Sequence, residues 1–493
     1  MARSGSTYVC SGCGAQSRQF FGRCASCGSW NTLVEQPAAP VADSRRRRSV
    51  PPSLGGLAPG QPRRSESIAA VGAGPLRRLS CGYGELDRVL GGGLVPGSLV
   101  LLGGDPGIGK STLLLQSARS MAGRASVLYV SAEESAQQVR LRWRRLARLD
   151  GAAVAVANAE AARGDGESAA ADGAGDVQLL AETDLELVLQ ELEALRPAVA
   201  IIDSIQALHD AELASAPGSV AQVRECAAAL ARIAKRQDTA LLLVGHVTKE
   251  GMLAGPKVLE HLVDAVLTFE GDRFASHRLL RAVKNRFGAT HELGVFEMQG
   301  RGLAEVTNPS ELFLGGDEPS SGTATIVACE GTRPLVVELQ ALVSTTSYAS
   351  PRRSATGIAL NRLHQILAVL EKRLGLPLSR FDCYLAVAGG LEVEEPAADL
   401  GVAAAVVASY RDLILPPGTV LIGELGLGGQ LRPVGQLELR LQEAARLGFS
   451  RAVLPRGSGL GPVAAGLGLQ LLEAGTVAEA LVAALGVNPA VES

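Results

Sequence analysis

Aromatic side chains make up only 3% of the 493 residues. A core built from this chain must be aliphatic, and rows of rings on which nucleic-acid bases could stack are disfavoured as a binding device. Long apolar runs are missing as well. No segment approaches the roughly 20 uninterrupted apolar residues of a membrane-crossing helix, so no membrane association is expected. The opening stretch MARSGSTYVCSGCG lacks the apolar region of a secretory signal. Cysteine is sparse, at eight residues, which excludes a disulfide-built scaffold and fits a reducing, cytoplasmic setting. Charge of one sign is not in excess: 47 basic against 50 acidic residues leave a net −3. Attraction for a polyanion would therefore come from a local basic surface, not from the field of the whole molecule. No tandem repeat at a fixed period is present.

What is there suffices for sizeable cores, with 47% hydrophobic and 20% charged residues, and the length suits about three domains of roughly 150 residues. Residues 1–35 hold a cysteine cluster. Residues 36–75, rich in Pro, Ala, Gly, Ser and Arg, read as a flexible basic linker. Its run Arg45, Arg46, Arg47 and Arg48 is either solvated or an auxiliary phosphate contact. From 76 to 315 short β-branched runs alternate with amphipathic helices, the pattern of a parallel sheet with crossovers. The candidate strands are Ser98–Leu102, Ser126–Val130, Ala198–Ile202, Thr239–Val244 and Val263–Phe269, and a helix over Gln222–Gln237 lines up Val223, Cys226, Leu230 and Ile233. Residues 151–176, rich in Ala, Gly and Asp without a period, predict a disordered insertion. From 320 to 493 a second α/β pattern follows. ATIVACE, PLVVELQALVS, CYLAVAG and VLIGELGLGGQLRPVG are strand-like, and Leu363, Ile366, Leu367, Leu370 and Leu374 share one side of a helix.

Gly104-Asp105-Pro106-Gly107-Ile108-Gly109-Lys110-Ser111-Thr112 fits G-x4-G-K-[ST], after strand-like SLVLLG and before helix-like STLLLQSARSMA. Glycines let successive amides point at phosphate oxygens, and the helix N-terminus adds its positive end. Lys110 would bridge the β- and γ-phosphates of ATP, and Ser111 would ligate Mg²⁺. The run Val199–Ile202 ends in Asp203, a second Mg²⁺ ligand at a strand end. Hydrolysis also needs a base for the attacking water. Ser126–Val130 is followed by Glu133 and Glu134, at the tip of what reads as the strand beside the phosphate-loop strand; Glu133 is favoured and Glu134 is the fallback. Cys10-x2-Cys13 and Cys24-x2-Cys27, flanked by Gly12, Gly14 and Gly28, present four thiolates in the spacing of a structural tetrahedral Zn²⁺. The remaining cysteines are scattered.

The phosphate loop, the acidic pair after the second strand and Lys284-Asn285-Arg286-Phe287-Gly288 together resemble the bacterial RadA (Sms) family of recombination ATPases, over essentially the whole chain. The resemblance implies a RecA-like P-loop core, an N-terminal four-cysteine zinc module and a C-terminal α/β domain similar to the proteolytic domain of Lon. It implies a ring, with six subunits the expected number, acting on single-stranded and branched DNA alongside a RecA-type recombinase during homologous-recombination repair. Lys284 and Arg286 would reach the nucleotide of a neighbouring subunit, as a finger in trans. His246 falls where such proteins sense the γ-phosphate, although a histidine at a strand end also serves as a structural hydrogen-bonder; the loop through Lys257 would touch DNA. A Lon-type peptidase needs a serine activated by a lysine, whereas Asp399 and Glu438 stand in those places. A peptidase is therefore not expected. Arg352, Arg353, Arg380 and Arg432 are either phosphate contacts or solvated surface. The alternative functions are an ATP-dependent protease, which would need the missing pair, a RecA-fold autokinase, which would retain phosphate on the chain, and a zinc-ribbon adaptor that merely binds partners, which would show no DNA-stimulated turnover.

Overall fold

The structure, a computed structural model, describes parts of residues 7–36 and then 77–146, 176–246, 258–271, 276–315 and 320–486. Almost all of the expected linker and insertion, and residues 247–257 of the expected DNA-contact segment, lie outside the described residues. A small antiparallel sheet comes first, with β1 (Thr7–Cys10) between β2 (Gln16–Ser17) and β3 (Leu33–Gln36).

The central sheet has nine strands: β4 (Leu99–Gly104), β5 (Val127–Ser131), β6 (Val177–Ala181), β7 (Val199–Asp203), β8 (Ala240–Val244), β9 (Ala265–Glu270), β10 (His277–Asn285), β11 (Leu293–Gln299) and β12 (Gly302–Glu305). Their spatial order is β12-β11-β10-β9-β4-β8-β7-β5-β6, parallel from β9 to β6 and antiparallel through β10, β11 and β12. The helices are α1 (Gly84–Leu90), α2 (Lys110–Ala122), α3 (136–146), α4 (Leu185–Leu195) and α5 (Val220–Gln237). Strands β4, β5, β7 and β8 are buried at every position, as expected of parallel strands covered on both faces. Alternate residues feed two layers: Val100, Leu102, Tyr129 and Ile201 pack with α1 and α2, whereas Leu99, Leu101, Val130 and Ile202 pack with α4 and α5. All five expected strands form within a residue or two of their expected bounds. Helix α5 begins two residues early because the Ser219 side chain caps it, accepting from Gln222 N–H.

The third sheet has the order β15-β16-β14-β13-β17-β20-β21. It is built from β13 (Thr323–Glu330), β14 (Arg333–Thr345), β15 (Arg353–Thr356), β16 (Phe381–Val387), β17 (Thr419–Leu421), β20 (Arg451–Pro455) and β21 (Gln470–Ala474), with a ribbon of β18 (Glu424–Leu425) and β19 (Leu431–Arg432). Its helices are α6 (Leu360–Leu374), α7 (Asp399–Arg411), α8 (Leu437–Arg446), α9 (Gly461–Gly466) and α10 (Val477–Leu485). Helix α7 is apolar on all sides and buried from Asp399 to Ala408. It lies so close to β13 that a Cβ on Gly401 would fall 2.1 Å from Ile326 Cγ2.

The two large sheets share material. Leu293 and Val295 of β11 belong to the same apolar core as Ile326, Leu335 and α7. A buried ion pair joins Glu85 of α1 to Arg333 of β14, and Arg333 also donates to the Leu293 carbonyl at 2.9 Å. Arg281 of β10 pairs with Glu330 at the end of β13.

Candidate active site

The loop between β4 and α2 takes the shape its glycines permit. Gly104, Gly107 and Gly109 have φ of 151°, 78° and 119°. At Gly104 a Cβ would sit 2.5 Å from the Phe269 carbonyl, and at Gly109 it would sit 2.8 Å from Met298 Cε, so neither position tolerates a side chain. Helix α2 starts at Lys110, and its first amides open onto the loop. Lys110 is buried, and its Nζ donates to the carbonyls of Gly104 (2.8 Å) and Asp105 (2.9 Å). Burial holds the ammonium below the ordinary lysine range, against the pull of Asp203, Glu133 and Asp105.

Asp203 ends β7 and is buried. Burial pushes its carboxyl up, while hydrogen bonds from Tyr129 and Ser111 pull it back; the Tyr129 hydroxyl donates to Oδ2 at 2.6 Å. A hydroxyl and a carboxylate brought together beside Lys110 form an oxygen donor set suited to Mg²⁺. Tyr129 was missed from sequence. Its signal was a phenol inside an otherwise aliphatic strand, since a buried phenolic hydroxyl must find a partner.

Glu133 reaches this group by another route than expected. The neighbours of β4 are β8 and β9, and β5 lies beyond β8 and β7. The turn after β5 is instead tied to the end of β7, with Ala132 N–H donating to the Asp203 carbonyl at 2.7 Å. The Glu133 carboxylate accepts from the Ser204 hydroxyl and meets His246 Nε2 at 3.1 Å. The hydrogen bond from His246 is the largest influence holding its carboxyl below the usual range. Glu134 turns away, pairing with Arg142 Nη2 at 2.5 Å. The two neighbouring carboxylates are thus separated: one faces Lys110, the other faces α3.

Lys284 and Arg286 are not in this cluster. Lys284 pairs with Val266 of β9, which sits beside Leu101, near the start of β4. Three residues of strand, roughly 10 Å, separate that level from Gly104. Lys284 Nζ donates to the carbonyls of Glu260 and Val263, the latter at 2.8 Å, and Arg286 pairs with Asp264 at 3.0 Å. Asn285 and Gly288 pack on α1, through the Val89 carbonyl (3.2 Å) and against Gly91. These side chains therefore face away from their own chain's phosphate loop.

At the N-terminus Cys10 and Cys24 are both buried, 2% and 3% exposed. Gly28, at φ 73°, donates its N–H to the Cys24 carbonyl at 2.9 Å, closing a turn around the second C-x2-C pair. Burial of two thiol groups in so small a sheet fits a tetrathiolate Zn²⁺ held with Cys13 and Cys27, which lie outside the described residues.

In the C-terminal region Asp399 opens α7, clasped by Arg362 Nε (2.7 Å) and by Leu425 N–H (2.9 Å). Glu438 sits on α8 and accepts from Gln442 at 3.3 Å. Arg353, half-buried, donates to the carbonyls of Leu378 (2.7 Å), Phe381 and Arg352, stapling β15 to the turn before β16. Arg352 lies over the Tyr348 ring at 3.7 Å, and Arg432 is 3.6 Å from Glu424.

Fold and site define a RecA-like P-loop ATPase core carrying an N-terminal zinc ribbon. The AAA domain family matches residues 77–252, and the rubredoxin metal-binding domain family matches residues 8–35. The chain belongs to the family of the bacterial DNA repair protein RadA. It is 57% identical to the DNA repair protein RadA of Synechocystis sp., over 99% of this chain and 96% of that one. With the RadA proteins of Halalkalibacterium halodurans and Bacillus subtilis it shares 47% and 44% identity, over 99% of this chain and all of theirs. A KaiC-like protein of Pyrococcus horikoshii, of known structure, aligns over 47% of this chain and 100% of its own, at 19% identity and a TM-score of 0.35. Among the described residues no helix is long and apolar enough to cross a membrane.

Proposed function

We propose that this chain is a cytoplasmic, DNA-dependent ATP hydrolase, a helicase-type motor working as a ring, with six subunits the expected number, on single-stranded and branched DNA. It would extend strand exchange and migrate branches in homologous recombination and repair, beside a RecA-type recombinase. The observation that carries the ATPase reading is the convergence of Lys110, Ser111, Asp203 and Glu133 at one end of the central sheet. The DNA reading is supported by the relatives' shared description as DNA repair proteins, and four zinc-binding thiolates suit a reducing compartment.

In this reading the backbone N–H groups of the Gly104 to Thr112 segment, to which Pro106 contributes none, cradle the triphosphate, and Lys110 exchanges its loop carbonyls for β- and γ-phosphate oxygens. Ser111 and Asp203 hold Mg²⁺, which when bound offsets charge on those oxygens. Glu133 orients the attacking water and takes its proton. His246 fixes that carboxylate and lies one residue before the 247–257 segment, so a change at the γ-phosphate can pass to a DNA contact. Lys284 and Arg286 of a neighbouring copy supply positive charge from across the interface. The C-terminal domain is Lon-like in this reading but not a peptidase, because Asp399 is consumed by Arg362 and Leu425 and no serine–lysine pair stands there; it serves ring assembly. The test is a branch-migration assay on a synthetic three-strand junction with ATP. Junction resolution by the purified protein, lost in Lys110→Ala, is expected; ATP-independent resolution, or none, contradicts the proposal.

A further inference from the structure

Helix α3 carries no acidic residue between 136 and 146. Val139 and Leu146 are buried on its inner side, with Trp143 half-buried beneath the Arg119 guanidinium at 5.7 Å. Arg140, Arg144 and Arg145 are all exposed, as are Gln137 and Leu141; at 3.6 residues per turn Arg144 lies about 40° and Arg145 about 140° round the helix from Arg140, so the three line a broad outer surface. No described carboxylate pairs with any of the three. On a chain of net −3 this is a local concentration of unneutralised cations, and guanidinium forks match phosphate oxygens bidentately.

The inner side of the same helix connects to the hydrolysis site. Arg142 holds Glu134, whose carbonyl accepts from the Ser131 hydroxyl at 2.7 Å, one residue pair from Glu133. We propose that the outer face of α3 binds the sugar–phosphate backbone of nucleic acid, and that Arg142 and Glu134 link this contact to the turn bearing Glu133. This rests on the reading that the chain acts on DNA and names a surface for it. A protein partner fits less well: the face offers one exposed apolar side chain, Leu141, whereas a stable interface buries about 800 Å² per partner around an apolar centre.

The test uses the full-length protein and a fluorescent oligothymidylate, with affinity measured by anisotropy across a salt series. Each neutralised phosphate contributes about −0.7 to the slope of log K against log salt on a single strand. The triple variant Arg140→Gln, Arg144→Gln, Arg145→Gln is therefore expected to lower the slope's magnitude by about 2. The corresponding triple lysine variant is expected to restore it, which a misfolded helix could not do. A wild-type slope in the glutamine variant overturns the proposal. So does a wild-type slope accompanied by a smaller assembly in sedimentation, which would make the face an interface between copies. If the unmodified protein binds no oligothymidylate at any salt, the DNA reading itself fails and this surface with it.

Discussion

The Tyr129 hydroxyl donates to Asp203 Oδ2 at 2.6 Å, from β5 to the neighbouring β7, and so aims a buried carboxylate at Ser111. A partner behind a metal ligand usually contributes about ten- to a hundredfold to metal affinity. Tyr129→Phe is expected to raise the Mg²⁺ concentration needed for half-maximal turnover by about tenfold or more. A Mg²⁺ titration at saturating ATP checks this, and an unchanged midpoint would separate Tyr129 from the metal site.

Glu133 and Glu134 should behave unequally, because only the first faces Lys110. Glu133→Gln is expected to cut turnover by about 10² to 10⁴, the usual worth of a general base, while nucleotide binding persists. Glu134→Gln should stay within a few-fold of the wild type. Equal losses measured by phosphate release would refute the assignment.

The pH profile depends on His246. Its hydrogen bond is the main reason Glu133 ionises below the usual carboxylate range. Removing it in His246→Ala raises that pKa, so the unprotonated base is lost sooner on acidification. The acid limb of turnover against pH should therefore move to higher pH. A limb that stays in place, or moves down, would show that His246 does not tune this carboxylate.

Lys284 lies at the far end of the sheet from its own phosphate loop, bonded to the Glu260 and Val263 carbonyls. If it acts on a neighbour, Lys284→Ala alone should lose most turnover. Mixing it with Lys110→Ala subunits should restore part, since each supplies what the other lacks. No recovery in mixed assemblies, followed by sedimentation and phosphate release, would argue against action in trans.

Much of this was legible in sequence. The buried strands announced themselves as aliphatic runs, and the phosphate loop as a glycine pattern between a strand and a helix. The antiparallel extension β10 to β12 was not predicted, although alternating burial over His277–Ala282 is a period-2 pattern. A register shift between Ala282 and Lys284 breaks it and leaves Val283 exposed. The route of Glu133 was illegible because strand order is not chain order: only the sheet reveals that β5 borders β7 and not β4. Long-range partners such as Glu85 with Arg333, 248 residues apart, leave no local trace at all. Removing one side of that buried pair, as in Arg333→Met, should cost about 3–5 kcal/mol by stranding the other charge, seen as a lower urea midpoint.

The most direct measurement is steady-state ATP turnover of the full-length protein against increasing single-stranded DNA, beside Lys110→Ala. Turnover that needs Lys110 and climbs to a plateau with added polynucleotide is predicted. Hydrolysis that survives Lys110→Ala, or proceeds at one rate with and without DNA, would contradict a polynucleotide-driven P-loop motor.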